Sequence, residues 1–541
     1  MSASVLMIVA IVCLSMGYLL YGRFITRKYG LDPNRKTPAH TKRDDVDYVP
    51  TKAPVLMGHH FASIAGAAPI IGPVVAAVFG WIPVLLWILI GSIFLGGVHD
   101  FSALVASVRH GGKTIGEVIE EHVGQAGKRL FLAFAWFLVV LLIAVFAHAV
   151  ADVFVKEPAT ATASFLFIIV AILFGLSVYR TKTPLWLASI IGVALLTGCI
   201  AVGLRFPIVL SYNTWKLVLF VYVFFAAVAP VWILLQPRDY LCSFLLYAIM
   251  IAGVVGIFAA NPKMTSPAFT AFNVEGKGFL FPILFVTVAC GAISGFHSLV
   301  SAGTTAKQLN KETDARPIAY GSMLIEGLLA VMALITATTI LQSDYTKLMG
   351  EGGPIAVFSS GIGSFVSHLG IPEKAGATFA ALAISAFALT TLDTATRLGR
   401  FMFQEFFEGT GPQAVLSKNR YAGTVVTIAV AMLFTFTGTR AALWPLFGSA
   451  NQLLASLTLL AVTLWLAKLR TGNRFIKYPM YFMFCVTLTA LVFLAYRNFV
   501  AKNIPLIVTS ILLLGVAITL VINAMSSLKK ITHEPKIETA E

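Results

Sequence analysis

Two stretches, GHHFASIAGAAPIIGP at residues 58–73 and ACGAISGFHSLVSAGTT at residues 289–305, interrupt otherwise apolar sequence with glycine, proline, histidine and hydroxyl side chains. Glycine adds backbone freedom and proline removes a backbone donor, so both weaken a helix. A helix interrupted inside a lipid bilayer leaves backbone groups unpaired, which is tolerated only beside protein or a polar cavity. Two such interruptions in corresponding halves of a chain predict the binding site of a secondary transporter.

The composition predicts a polytopic membrane protein. Of the 541 residues, 58% are hydrophobic and 12% are charged, and the mean hydropathy is +0.87, whereas soluble domains carry about 25% charged residues. The formal net charge is +15, but the basic residues lie mostly in short connections beside apolar spans, which argues against nucleic-acid binding. The five cysteines are scattered singly without metal-ligand spacing, and we interpret them as small apolar residues.

Fifteen apolar stretches are long enough to cross about 30 Å of hydrocarbon, so the predicted fold is an all-α membrane protein of about fifteen transmembrane helices. The predicted spans are residues 3–22, 58–77, 82–108, 128–152, 162–180, 184–204, 215–236, 240–259, 279–300, 317–342, 374–398, 421–437, 441–467, 478–497 and 503–525. The first is interpreted as a retained anchor, because its basic residues follow it instead of preceding it. An amphipathic segment within residues 343–373 predicts a short helix over the entrance.

The distribution of Lys and Arg predicts the orientation. The segment of residues 23–57 and alternate later connections are basic, which marks the cytoplasmic side, so we expect the N-terminus outside and the C-terminus in the cytoplasm. The two interrupted spans then run in opposite directions, as an inverted repeat requires. We divide the chain into an anchor helix and cytoplasmic loop (1–57), a transporter core (58–470) and two peripheral helices with a cytoplasmic tail (471–541).

The interruptions supply the candidate substrate-binding residues. Loose helix ends carry partial charges that suit an anionic carboxylate or a cation, and small residues permit close approach of a solute. The alternative for each interruption is ordinary packing of helices through small residues. The candidates are Gly58, His59, His60, Ser63, Ala65, Gly66, Ala67, Gly291, Ser294, Gly295 and His297, together with Asn451, whose amide could bridge helices or contact a solute.

Ionisable residues inside apolar spans are the candidate ion-coupling groups, because a charge at mid-bilayer is costly and usually faces a cavity or a partner. Asp393 is the strongest candidate, since Thr390 and Thr394 share its helical face; its alternative role is a salt bridge to Arg397. Asp100 is either an ion-coupling group or a packing partner for Arg109. His59, His60 or His297 could also carry a proton, because histidine titrates near neutral pH. Glu326 is a further intramembrane carboxyl group.

Other classes of function remain alternatives. The sequence contains no HExxH, GxSxG or P-loop motif, so it predicts no enzyme and no cofactor. A zinc site that combines His59 or His60 with His99, Asp100 or His297 is a less favoured alternative, as is a channel. The coupling ion is expected to be a proton in preference to sodium.

Five motifs resemble the carbon starvation protein A family of bacterial inner-membrane transporters. These motifs are GHHFASIAGAAPIIGP, GGVHDF, ACGAISGFHSLVSAGTTAKQL, ALTTLDTATRLGRF and WPLFGSANQLLA, and the resemblance spans about residues 50–470. It implies uptake of peptides or pyruvate when carbon is scarce, driven by protons, with a small-molecule substrate and a lipid bilayer as partners.

The resemblance also implies an architecture like that of the amino acid, polyamine and cation superfamily, with the LeuT-type inverted repeat. The helix that carries Asp393 would then face the first broken helix and complete a cation site with the hydroxyls of Thr390, Thr391 and Thr394. Two more spans separate the broken helices than the simple fold has, so either two helices are inserted or the count of spans is wrong.

Overall fold

The computed structural model describes residues 1–181, 183–409, 414–437, 440–500, 502 and 504–533. The described residues are mostly helical and include one small hairpin. In the first half the helices are α1 Ala3–Tyr29, α2 Ala53–Ile64, α3 Ala68–Phe79, α4 Trp81–Arg109, α5 Ile115–Val123, α6 Gln125–Lys156, α7 Pro158–Tyr179, α8 Leu185–Arg205, α9 Tyr212–Val228 and α10 Leu235–Ala260.

The second half begins with the antiparallel hairpin of strands β1 Asn273–Val274 and β2 Gly278–Phe279. Its helices are α11 Leu280–Thr287, α12 Gly295–Val300, α13 Glu312–Thr338, α14 Gln342–Glu351, α15 Gly353–Ser367, α16 Glu373–Phe406, α17 Arg420–Thr437, α18 Arg440–Lys468, α19 Arg474–Val500 and α20 Ile504–His533. A π-helical turn, Ser301–Thr305, and the turn Ala306–Gln308 extend α12. Short helical turns also occur at Pro38–Thr41 and Ala414–Lys418.

Helix boundaries follow local sequence signals. Proline, which has no backbone donor to lose, stands in the first turn of α2, α3 and α7. The Ser211 side chain accepts a hydrogen bond from the backbone N–H of Thr214 and caps α9. The chain reverses between α3 and α4 at Gly80, whose φ of 102° is a conformation that side chains disfavour.

The number of spans differs from the predicted fifteen. In the described residues, 11 helices are long and apolar enough to cross a membrane, and the bent pair α2 and α3 raises the number to as many as 12. Each remaining predicted stretch also contains helix, but α9 has only 17 residues, the stretch at 279–300 is interrupted, and the side chains of α20 are described only in part. Composition identifies the apolar stretches, but it does not show where a helix is interrupted or how long it is.

Two long helices form the scaffold of the bundle. Helices α6 and α16 have 32 and 34 residues and pack along each other. Glycine also lets α17 approach α16, since a Cβ on Gly399 would lie 2.6 Å from the Thr427 side chain. Helix α10 packs against α2, and α13 packs against α3. Buried helices of the bundle therefore surround the bent pair α2 and α3.

The two ends of the bundle differ. We define the loop end as the end covered by residues 30–52, and the lid end as the opposite end, where α14 and α15 lie. Backbone hydrogen bonds from Val49 to Lys307 O and from Thr51 to Gln308 O fasten the loop end. At the lid end, the Tyr345 hydroxyl of α14 donates to Val74 O of α3. The predicted short helix of the 343–373 segment corresponds to α15.

Candidate transport site between two interrupted helices

The first interruption lies at residues 65–67. Helix α2 ends where Ala65 N donates to Phe61 O, α3 begins at Ala68, and the two axes differ by 43°. The interruption is shorter than the predicted stretch of residues 58–73. Ala65, Gly66 and Ala67 form it, whereas Gly58, His59, His60 and Ser63 lie in regular helix on α2. The two histidines therefore project from a helix that leads to the interruption.

The second interruption covers residues 288–294, between α11 and α12. Gly291 and Ser294 lie inside it, and Gly295 and His297 lie in the first turn of α12. The sequence predicted an interruption within residues 289–305, so the observed one occupies the N-terminal part of that stretch.

The two interrupted helices contact each other through backbone. A Cβ on Gly72 would lie 2.7 Å from Thr287 O and 3.2 Å from Val288 Cα, and a Cβ on Gly291 would lie 4.0 Å from Pro69 O. Such distances leave no room for larger side chains at Gly72. The glycines thus bring the main chain of α3, just after the first interruption, against the main chain at the second interruption.

Side chains of neighbouring helices satisfy the backbone of the second interruption. The Asn451 amide oxygen accepts from Phe296 N at 2.8 Å, and its nitrogen donates to Ser294 Oγ at 3.0 Å. Gln452 donates to Ile293 O at 3.1 Å, and Trp87 donates to Val288 O at 2.9 Å. In this conformation the Asn451 side chain is bonded within the protein, which matches the helix-bridging alternative considered for it.

A group of buried ionisable residues, the arginine cluster, lies between the first interruption and the loop end. It consists of His59, Tyr222, Arg238, Asp239 and Asp393. Nδ1 of His59 lies 2.5 Å from Asp239 Oδ2, while Arg238 forms a salt bridge with Asp393 Oδ2 and donates to the Tyr222 hydroxyl at 2.6 Å. The Tyr222 hydroxyl also donates to Asp393. The Asp393 charge is therefore balanced by Arg238 and not by Arg397, the partner that sequence spacing suggested.

The predicted threonines divide between two roles. Thr391 donates to Ser63 O at 3.2 Å, where α2 approaches its end, and Thr394 Oγ1 lies 3.1 Å from Ser63 Oγ. Ser63 in turn donates to Asp239 Oδ2 at 3.3 Å. Thr390 instead donates to Ala386 O of its own helix. Thr391 and Thr394 thus contact the first broken helix, and Thr390 shows no such contact.

A second buried group, the histidine cluster, lies beside the second interruption and consists of His99, Asp100, His297 and Glu326. The Asp100 oxygens lie 2.7 Å from His99 Nδ1 and 3.0 Å from His297 Nδ1. Nε2 of His297 lies 3.5 Å from Glu326 Oε2. Asp100 is thus a partner of histidines, whereas Arg109 pairs with Glu312.

The adjacent histidines of α2 face different partners. His60 Nδ1 lies 2.8 Å from Thr305 Oγ1, whereas His59 faces Asp239. Within the described part of the chain, no group of three His, Cys, Asp or Glu side chains is arranged to hold a metal ion. The zinc site considered from the sequence therefore has no assembled ligand set among these residues.

Sequence reasoning missed Tyr222, Arg238 and Asp239. The predicted spans ended at residue 236 and resumed at 240, which assigned Arg238 and Asp239 to a loop, but α10 already begins at Leu235 and both side chains are buried. The detectable signal was the adjacent Arg–Asp pair in PRDY, directly before an apolar run. Opposite charges at that position are typical of a buried pair.

The loop end is closed by Asp47. Its carboxylate pairs with Arg397 at 2.8 Å and with Arg400 at 3.0 Å, and Val46 O accepts from Val231 N. Burial alone would raise the pKa of Asp47, but the Arg400 and Arg397 charges outweigh it and hold the pKa below its ordinary value. Asp47 is therefore ionised at neutral pH, which keeps the loop end fastened.

The lid end contains a cavity of about 530 Å³ between α6, α15 and α16. Its charged lining carries both signs: Asp152, Lys156, Glu157, Glu373 and Lys374. The Ser359 hydroxyl, on a side chain that is 6% exposed, also lines it and has no hydrogen-bond partner among the described residues. The volume falls within the range of about 300–1,000 Å³ that is common for small-molecule sites.

Comparison with solved structures shows the fold. The chain is similar to a manganese transporter of Eremococcus coleocola, with a TM-score of 0.52 and 14% identity over 91% of this chain and 99% of that one. A variant of the same transporter gives a TM-score of 0.51 with 13% identity. At such identities the likeness concerns the fold alone. Together with the apolar helices, it defines a multi-pass helical membrane protein.

Comparison of sequences gives the family. The carbon starvation protein CstA family matches residues 2–352 and 346–490, and the chain belongs to it. Peptide transporter CstA of Bacillus subtilis is 35% identical, with 88% of this chain and 87% of the relative covered. Peptide transporter CstA of Helicobacter pylori is 36% identical (86% and 77% covered), and pyruvate/proton symporter BtsT of Escherichia coli is 33% identical (84% and 76% covered).

Proposed function

We propose that this chain imports short peptides by proton symport, through alternating exposure of a substrate site between residues 65–67 and residues 288–294. The observation that carries the proposal is the contact of two interrupted helices in the bundle, with backbone approach at Gly72 and Gly291. Interrupted main chain at membrane depth supplies polar groups to a substrate, and movement of one bundle against another exposes the site to either side. The substrate carboxylate is assigned to the helix ends at these interruptions.

The order of helices supports an inverted repeat. In the first half the bent pair precedes α4 and the long helix α6. In the second half the pair α11 and α12 precedes α13 and the long helix α16. Between the halves, the hairpin of α7 and α8 is assigned as an insertion, which accounts for the two additional spans. The N-terminus is assigned to the outside of a bacterial inner membrane, with the lid end outside and residues 30–52 in the cytoplasm.

The arginine cluster favours a proton over sodium. A sodium ion near Asp393, Thr391 and Thr394 would compete with the Arg238 guanidinium, which already pairs with the carboxylate. Moving a cation there would bring two positive charges together in a buried site, which is unfavourable at low dielectric. A proton adds charge without needing a coordination shell.

The charges at the lid end favour short peptides over pyruvate. A zwitterionic peptide presents an ammonium and a carboxylate group several bonds apart, and the cavity offers Lys156 and Lys374 together with Glu157 and Glu373. Pyruvate carries a single negative charge and would use only the lysines. The printed names of the relatives include both substrates, and pyruvate is therefore the second candidate.

Uptake by purified protein in proteoliposomes tests the proposal. Labelled dialanine and labelled pyruvate are each presented with an inward pH gradient and, separately, with an inward sodium gradient at uniform pH. We expect dialanine to accumulate with the pH gradient only. Accumulation driven by sodium, or of pyruvate alone, would contradict the corresponding part of the proposal. Exchange of labelled for unlabelled substrate is the control for mechanism. A carrier accumulates labelled substrate by such exchange, whereas a channel does not.

A further inference from the structure

Glu326 is a buried carboxyl group that receives no hydrogen bond. It lies in α13, its side chain is 0% exposed, and among the described residues neither of its oxygens has a hydrogen-bond partner. Oε2 lies 3.5 Å from Nε2 of His297. A carboxylate buried without a donor is strongly disfavoured, and such a group takes up a proton instead.

The hydrogen bonds of Asp100 determine which nitrogen of His297 carries a proton. Its two oxygens face Nδ1 of His297 and Nδ1 of His99. A carboxylate accepts hydrogen bonds and does not donate them, so both Nδ1 atoms are donors. In a neutral imidazole the second nitrogen is then an acceptor. Nε2 of His297 therefore faces Glu326 as an acceptor.

Two acceptors that face each other in a buried site need one proton between them. With the proton on Glu326, its O–H points toward Nε2 of His297 and both residues are neutral. With the proton on Nε2, His297 and Glu326 form an ion pair. With neither, an ionised carboxylate faces a lone pair, which is the unfavourable case.

We propose that Glu326 and His297 together form the binding site of the coupling proton, with Asp100 and His99 holding the His297 ring in place. The inference rests on the proposed proton symport, because it names the residues that carry the proton. Asp393 differs, since its Oδ2 is paired with Arg238 and with the Tyr222 hydroxyl, although its Oδ1 has no hydrogen-bond partner among the described residues. In the described part of the chain, no Lys or Arg forms an ion pair with Glu326 or Asp100.

The position of the proton site links it to the substrate site. His297 lies in the first turn after the second interruption, and α13 packs on that interruption, where a Cβ on Gly291 would lie 2.5 Å from the Ala330 methyl group. Helix α4 packs there too, with Gly96 against Ala292 O. A rearrangement of the interruption that moves His297 from Glu326 separates the two acceptors. Each then changes its preference for a proton, so proton binding is coupled to substrate movement.

Other titratable groups face this site and would contribute to its pH dependence. Asp100, from α4, and Cys290, from the second interruption, interact electrostatically with Glu326. His99 reaches it through Asp100, and His60, from α2, interacts with both Asp100 and His297. The pH dependence of transport therefore cannot be assigned to a single residue without a direct probe of the Glu326 proton.

The test uses the full-length protein in proteoliposomes and the variant Glu326→Gln, whose amide resembles the protonated carboxyl group in size and neutrality. Glu351→Gln, at an exposed position on α14, is the matched control. Two assays are compared: accumulation of labelled dialanine, or of pyruvate if the wild type prefers it, under an inward pH gradient, and substrate exchange without a gradient. We expect Glu326→Gln to keep exchange and lose pH-driven accumulation, and the control to keep both. Undiminished pH-driven accumulation in Glu326→Gln would overturn the proposal.

Infrared difference spectroscopy of the purified protein supplies a readout independent of transport. We expect the carbonyl stretch of a protonated carboxylic acid in the wild type, sensitive to deuterium exchange and absent from Glu326→Gln. If the variant loses both exchange and accumulation, a missing band in the folded wild type would overturn the proposal, and a present band would support it. If the wild type itself shows no pH-driven accumulation, the proposed symport fails, while the band still reports whether Glu326 holds a proton.

Discussion

The arginine cluster and the histidine cluster are both buried beside an interrupted helix, but they balance charge differently. In the first, Asp393 pairs with Arg238 and receives the Tyr222 hydroxyl. In the second, Glu326 has only His297 within ion-pair distance among the described residues. A carboxylate with a permanent cation stays ionised, whereas one that faces an imidazole exchanges a proton. The contrast indicates that intramembrane carboxyl groups of one protein serve separate purposes.

The largest expected effect is loss of stability in Asp393→Asn. The substitution leaves the Arg238 charge buried without its partner, and breaking a buried ion pair typically costs about 3–5 kcal/mol. The double variant Arg238→Gln with Asp393→Asn removes both charges and should recover much of this loss. Thermal unfolding in detergent measures it. Equal stability of wild type and Asp393→Asn would contradict the charge balance of the arginine cluster.

Asn451→Leu should have the next largest effect, because it leaves Phe296 N and Ser294 without their partner at the second interruption. A buried donor without an acceptor costs about 1–3 kcal/mol. Gln452→Leu removes one amide donor, which reaches Ile293 O at 3.1 Å and Phe285 O at 3.5 Å, and should cost less because backbone N–H groups stay paired. Uptake rates and unfolding midpoints of both variants measure the difference, and a larger loss in Gln452→Leu would show that the hydrogen bonds are ranked incorrectly.

Gly72→Ala tests the backbone contact between α3 and the second interrupted helix. The added Cβ would lie 2.7 Å from Thr287 O, and overpacking of this kind costs about 1–3 kcal/mol. Gly198→Ala is the matched control, because nothing lies within 4 Å of its Cβ. We expect slower uptake in Gly72→Ala and unchanged uptake in Gly198→Ala. Identical uptake by both would mean that the interruptions do not need this approach.

Asp47→Asn should have the smallest effect on stability and a visible effect on transport. Only the Asp47 side of this pair reaches solvent, at 16% exposure, but Arg397 keeps its hydrogen bonds to Ala226 O and Ala229 O, so the loss should cost about 1 kcal/mol, less than loss of a fully buried pair. We expect faster efflux of preloaded substrate through the loosened loop end. Because its pKa is lowered, the pair persists through mild acid and is lost only as the pH falls through that lowered value. A difference between variant and wild type that vanishes near neutral pH would contradict this.

The positions of the two interruptions were predictable in outline because local chemistry marks them. Glycine and histidine indicated both interruptions, and proline indicated the first as well. The exact bounds of the interruptions were not predictable. Gly58, His59 and His60 belong to regular helix, where α2 packs against α10, and this tertiary packing is not visible in the local sequence. The partner of Asp393 was missed for a similar reason. Spacing along one helix suggested Arg397, but Arg238 comes from another helix, and only the packing of α10 against α16 brings the two together.

The central claim is that substrate binds where the two interrupted helices meet. Electron cryomicroscopy of the full-length protein in nanodiscs, with saturating dialanine or pyruvate and a ligand-free control, tests it directly. We expect ligand density in contact with residues 65–67 and residues 288–294. Density confined to the lid-end cavity, with both interruptions unchanged and unoccupied, would contradict it.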